Sequence, residues 1–158
     1  MSRGLLVAVP AYDAAIRVEL LWADAPATCA AIWAALPIEK PAFHGRRSGQ
    51  ELFVLADPFE PPGRENARRV VNAGDVVFVH LPPGWTDHHP DFPSAEHGLF
   101  DIAFIYGSDA CVRGPEGVVD ANLFGRVLAE DRAALARVCE RVWLEGTAPL
   151  RIVGTNGA

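Results

Sequence analysis

The sequence predicts a mainly β domain, a closed or half-closed barrel of about eight strands with two α-helices capping it. Three observations carry this. Short apolar segments separated by Gly- and Pro-rich turns recur along the chain, only two stretches show helical periodicity, and no Gly-rich loop joins a strand to a helix as a parallel α/β nucleotide fold requires. At 158 residues the chain is expected to form a single domain spanning 1–158. A globule of that size buries about 70% of its unfolded surface and needs no disulfide staples.

The first well-marked unit runs from Ile16 to Leu36. Ile16, Val18 and Leu20 alternate with Arg17, Glu19 and Leu21, the period of two of a half-buried strand. Helix follows at once: Asp24 is placed to cap its first turn, Pro26 fits an early helical position, Cys29, Ile32, Trp33 and Leu36 form an apolar stripe, and Pro37 stops it. Residues 42–47 and 51–56 read as a hairpin turning through Ser48-Gly49-Gln50. Residues 57–72 form a Pro-, Gly- and charge-rich excursion, after which Gly74-Asp75 opens an apolar strand over 76–81. A second long loop, 82–97, contains four prolines, and 99–106 is an aromatic strand in which Phe100, Ile102, Phe104 and Tyr106 share a face. That stripe is core in the first place, with Tyr106 at its end able to bring a hydroxyl to the rim. From Asp131, the residues Leu135, Val138, Cys139 and Val142 mark an amphipathic helix that Gly146 ends, and a closing strand covers 150–153.

Bulk properties narrow the function classes. A net charge of −6 argues against a nucleic-acid surface, and the pairs Arg46-Arg47 and Arg68-Arg69 are too small to reverse it. Three cysteines, Cys29, Cys111 and Cys139, lack metal spacing; Cys29 and Cys139 lie on apolar helix faces and read as buried thiols, which fits a reducing cytoplasm. The apolar run at Leu5–Val9 is too short for a signal-peptide core and no stretch has the length of a membrane span, so no membrane association is expected. No cofactor motif is present.

The residues of the first unit resemble the cyclophilins. Val18, Glu19, Leu20, Ala23, Asp24, Pro26, Thr28, Trp33, Ala35 and Leu36 match a strand ending in Glu-Leu, an Ala-Asp-x-x-Pro-x-Thr turn and the following helix, and Asn122–Leu128 is similar to the Phe-Gly-x-Val strand before the second cyclophilin helix. Leu36-Pro37, Ala42, His44, Arg46, Ser48-Gly49 with Glu51, Ala73-Gly74-Asp75 and Tyr106-Gly107 follow in the order of a smaller bacterial relative, a cyclophilin-like family of uncharacterised minimal barrels. The resemblance covers roughly the whole chain and implies a cyclophilin-like barrel.

Candidate chemistry concentrates in three places. In the first hairpin His44, Arg46 and Ser48 alternate with Phe43, Gly45 and Arg47, so they share a face, either lining a pocket or facing solvent. In the pocket reading Arg46 pairs with a carboxylate or polarises a carbonyl and His44 acts as donor or general base; the resemblance favours the pocket, since this strand borders the cyclophilin groove. Proline isomerisation needs a guanidinium near the prolyl nitrogen, which cyclophilins supply directly after Phe-His. Here Gly45 intervenes, Arg46 comes one residue late, and Glu51 and Val54 stand where Phe and Gln are expected.

The loop Trp85-Thr86-Asp87-His88-His89-Pro90-Asp91, with Glu96-His97 and His80, reads as a polar lid in which Trp85 and Phe92 either contact a ligand or anchor the loop to the barrel, with His88 in the ligand-binding set; folded back on itself it could also hold Zn²⁺ or another divalent ion, although its spacing matches no established metal motif. Ser48, Glu51, Tyr106 and Phe124 complete the expected ligand-binding set, Phe124 with core packing as its alternative. The predicted function is binding of a small carboxylate or amide ligand, or a short peptide, with catalysis through His44 and Arg46 left open. The alternatives are a peptidyl-prolyl isomerase and a non-catalytic interaction module, and apolar edge strands are compatible with a homodimer.

Overall fold

The computed structural model describes residues 3–84, 96–114 and 117–156. In chain order the elements are β1 (Arg3–Val9), β2 (Ala14–Leu20), α1 (Pro26–Ala34), β3 (Ile38–His44), β4 (Gly49–Ala56), β5 (Ala67–Arg68), β6 (Asp75–Leu81), β7 (Leu99–Ala110), β8 (Arg113–Gly114), β9 (Gly117–Val118), β10 (Ala121–Val127), α2 (Arg132–Glu145) and β11 (Ala148–Asn156). Nine strands pair in the order β2-β1-β11-β3-β4-β7-β6-β10-β5, and β2 pairs back onto β10. Eight strands therefore close a cyclophilin-like barrel, with β5 laid against β10 outside the ring. Closure leaves the main strands without open edges. Among the described residues no helix is long and apolar enough to cross a membrane.

The alternation in β2 is realised as its pattern requires: Ile16, Val18 and Leu20 are buried and Arg17 and Glu19 exposed. The barrel interior is filled from all sides by such residues, including Leu5, Val7, Leu52, Val54, Phe78, Ile102, Phe104 and Phe124, and is closed by Cys29 and Ile32 of α1 and Leu135, Val138, Cys139 and Val142 of α2. Both helix cysteines are buried free thiols. Burial lifts Cys29 to about 11 and Cys139 further still, so both remain thiols rather than nucleophiles.

A second apolar cluster lies on the outward faces of β6, β7 and β10, where Val77, Ala103, Ile105 and Leu123 pack with Val71, Val112 and Ala121. β7 is thus buried on both faces. That explains its nearly continuous apolar run, and it places the carboxylate of Asp101 in a buried layer.

The start of α1 differs from the local pattern. Its N-cap is Ala25 and makes no side-chain cap, so Asp24 does not serve as one. Glu65, in the loop after β4, takes that role: Oε1 accepts from the Ala27 N–H at 3.1 Å, and Oε2 accepts from the Thr28 N–H at 2.8 Å and the Thr28 hydroxyl at 2.9 Å. A carboxylate also complements the positive end of the helix dipole. Buried Asn122 holds the cap in place, since its side-chain amide donates to Thr28 Oγ1 at 3.1 Å and to the Gly63 carbonyl at 2.9 Å while its Oδ1 accepts from the Glu65 N–H at 3.1 Å. The loop 57–72 is in this way tied to both α1 and β10. Gly146, at φ 97, ends α2.

Candidate functional site

Two ends of one strand stripe organise the candidate site. Along β7 the side chains of Phe100, Ile102 and Phe104 point into the barrel, and Tyr106 continues the same face to the rim beneath α2. β3 delivers His44 to that rim because His44 pairs with Leu52, which pairs in turn with Phe104, and directly opposed residues share a face. His44 Nε2 and the Tyr106 hydroxyl are 2.7 Å apart, with ring centroids 5.6 Å apart in an edge-on arrangement. Trp143 of α2 closes the group at 6.3 Å from the His44 ring while remaining 66% exposed.

The direction of the hydrogen bonds follows from the partners. Nδ1 of His44 faces the Gly45 carbonyl oxygen at 3.0 Å, which can only accept, so Nδ1 carries the proton. In the neutral ring Nε2 is then an acceptor and the Tyr106 O–H donates to it. Burial pushes the His44 pKa below its ordinary value, partly countered by the Gly45 carbonyl. Burial also raises the Tyr106 phenol, with Cys139 and Glu140 adding to the effect. Both shifts favour this neutral, directional pair. With its proton committed to His44, the Tyr106 oxygen offers lone pairs to an incoming N–H or O–H.

The hairpin itself departs from the sequence pattern. β3 ends at His44 and residues 45–48 form the turn, so His44, Arg46 and Ser48 do not lie on one strand face. Arg46 and Arg47 are exposed at the turn. Gly49 holds φ +83, and a Cβ there would collide with the Asp109 carbonyl, so the turn fixes glycine at this position.

Ser48 and Glu51 lie on the far side of the sheet from His44. Glu51 pairs with Ile105, on the outward face, whereas its neighbour Leu52 points inward. The Glu51 carboxylate is 2% exposed, and its Oε2 has no hydrogen-bond partner among the described residues. Burial raises its pKa to about 6, against a smaller lowering from Ser48. Asp101, on the same outward face, is raised by its own burial and by the charge of Glu51.

Phe124 is fully buried in the barrel core, and its carbonyl accepts from Cys29 Sγ at 3.4 Å, so it packs the interior and lines no groove. Trp85, His88, His89 and Phe92 lie outside the described residues. His80 is held at the opposite end of the β7 stripe, with Nε2 donating to the His97 carbonyl at 2.7 Å. The structure therefore unites His44 with Tyr106 and separates both from Ser48 and Glu51. It adds Trp143, Asp101 and Glu65, which sequence reasoning missed. For Trp143 the available signal was an aromatic one position off the buried stripe of α2; for Asp101 it was a carboxylate within an apolar strand.

Residues 7–153 match the family described as "Protein of unknown function (DUF3830)". No curated protein matches the sequence. Among solved structures the chain is similar to McbB in complex with tryptophan, at a TM-score of 0.68 and 18% identity over 98% of this chain. It spans 45% of the McbB chain. The hypothetical protein AF2241 from Archaeoglobus fulgidus matches at a TM-score of 0.53 and 20% identity, covering 96% of this chain and 92% of that one. The Mimivirus cyclophilin matches at a TM-score of 0.50 and 9% identity over 98% of this chain and 89% of that chain. At these identities the likeness is one of fold.

Proposed function

The chain belongs to the DUF3830 family, and from that premise we propose that its barrel binds a small ligand bearing a carboxylate or amide at the corner formed by His44, Tyr106 and Trp143. The observation that carries this is the 2.7 Å contact between His44 and Tyr106, whose polarity is fixed by the Gly45 carbonyl. An amide N–H of the ligand donates to the Tyr106 oxygen, its apolar part lies on the exposed Trp143 ring, and Arg46, two residues beyond His44 in the exposed turn, engages the carboxylate or carbonyl. That the neighbour McbB was solved with tryptophan, itself a small carboxylate, agrees with such use of the fold.

In a catalysed reaction on this ligand the Tyr106 oxygen takes the ligand's proton as its own passes to Nε2 of His44, the general base, and Arg46 polarises the carbonyl, while Ser48 and Glu51 lie behind the turn on the other face. The isomerase alternative asks for a guanidinium over an apolar groove. Arg46 stands in an exposed turn, so the small-ligand reading suits the residues better.

The test is isothermal titration calorimetry with N-acetyl amino acids, which carry both an amide and a carboxylate. Arg46→Ala should weaken binding at least tenfold, and Tyr106→Phe should weaken amide-bearing ligands more than plain carboxylates. An unliganded wild type across the panel, or binding indifferent to both variants, defeats the proposal.

A further inference from the structure

About six residues from Tyr106 along β7, roughly 20 Å at strand rise, the same inward stripe begins at Phe100. There the loop residue Phe59 packs against Phe100 at 4.9 Å and Phe78 at 5.4 Å, and the His80 ring stacks on Phe100 at 4.4 Å with an interplanar angle of 32°. The His80 ring is held in place by its 2.7 Å bond to the His97 carbonyl. Above these aromatic faces opens a cleft of about 420 Å³. Its rim carries the exposed carboxylates of Glu60 and Glu96, and its described lining includes no Lys or Arg.

We propose that this cleft is a second ligand site, independent of the His44 corner, which takes a small organic cation with an apolar body, such as an arylalkylammonium. Phe100 itself is buried beneath Phe59 and His80, and it is the partly exposed Phe59 ring that attracts a cation through its quadrupole and accepts a ring or alkyl group. Two carboxylates at the rim supply charge complementarity at the open end, where an ammonium can stay partly hydrated. The chain's net charge of −6 adds a long-range field of the same sign. An anion meets repulsion from both acids, and a neutral ligand of equal shape gains nothing from them. The volume lies within the range of small-molecule sites, about 300–1,000 Å³.

The test compares 2-phenylethylamine, 2-phenylethanol and phenylacetate, which share a ring and differ in charge, by calorimetry and by amide chemical-shift mapping on the intact chain. The amine should bind, the alcohol at least tenfold more weakly, and phenylacetate not at all. Shifts should map to Phe59, His80, Glu96 and Phe100. The double variant Glu60→Gln/Glu96→Gln changes only exposed side chains, so its melting temperature should hold while amine affinity falls at least tenfold. No binding of the amine by the wild type overturns the inference, as does equal binding of all three probes or amine binding that survives the double variant. Shifts that map to His44 and Tyr106 instead would assign the amine to the other corner and overturn it equally.

Discussion

The Tyr106 hydroxyl donates a 2.7 Å hydrogen bond to Nε2 of His44, although the two residues are 62 positions apart in the chain. β7 carries one to the rim of the barrel and β3 carries the other, and the register between β3, β4 and β7 makes them meet.

Tyr106→Phe removes that donor and leaves a half-buried imidazole nitrogen without a partner. A loss of about 0.5–1.5 kcal/mol in unfolding free energy is expected from denaturant titration. In the wild type, nitrogen-resolved NMR of the imidazole should show the proton on Nδ1. Because burial holds the His44 pKa below its ordinary 6.5, the folded state takes up its proton later than the unfolded chain. The stability contributed by neutral His44 is therefore present above the unfolded value and lost as pH falls from there through the folded one.

Glu51→Gln should stabilise the protein at pH 8. The carboxyl has a pKa of about 6 in the folded state against an ordinary 4.5, so the folded state binds more protons between those values and stability falls as pH rises through that window. Below the lower value the penalty is absent. A shift of this size corresponds to about 2 kcal/mol, so the melting-temperature advantage of the variant should be largest above pH 6 and vanish near pH 4. The same substitution removes a charge that raises Asp101, so the Asp101 pKa should drop, as carboxyl NMR titration would read.

Glu65→Ala should cost about 1 kcal/mol, the usual worth of a helix cap, whereas Asp24→Ala should change stability by less than about 0.5 kcal/mol. Some desolvation works against the Glu65 carboxylate, yet the bonds from Thr28 and Ala27 hold its pKa below the ordinary value. Its contribution is thus present above the unfolded pKa and lost as pH falls through the folded one. Acid unfolding monitored by circular dichroism should show a shallower acid limb in the Glu65 variant.

Gly49→Ala should destabilise by at least about 1 kcal/mol, because φ +83 disfavours any Cβ and the Asp109 carbonyl occupies the space. Thermal denaturation checks this, and Gly63→Ala, where an added Cβ meets nothing within 4 Å, is the matched control.

The barrel was legible because its signals are local. The alternation of Ile16, Val18 and Leu20, the stripe Phe100-Ile102-Phe104, the buried face of α2 and the Gly146 stop each follow from spacing along a few residues, and each appears in the structure. Parts of the site were not legible for the converse reason. A period-two reading placed His44, Arg46 and Ser48 on one face, but the strand ends at His44, and once the backbone turns the alternation no longer holds.

By itself the sequence determined the class of fold, the two helices, the inward faces of the strands and the burial of the two helix thiols, since periodicity, turn residues and apolar content act within one element. Tertiary structure alone decided which distant groups meet. Glu65 rather than Asp24 caps α1, Trp143 stands beside His44, and Asp101 is buried on a strand covered from both sides. Such pairings depend on barrel closure and strand register, which bring together residues far apart in the chain and set the burial that moves their pKa values.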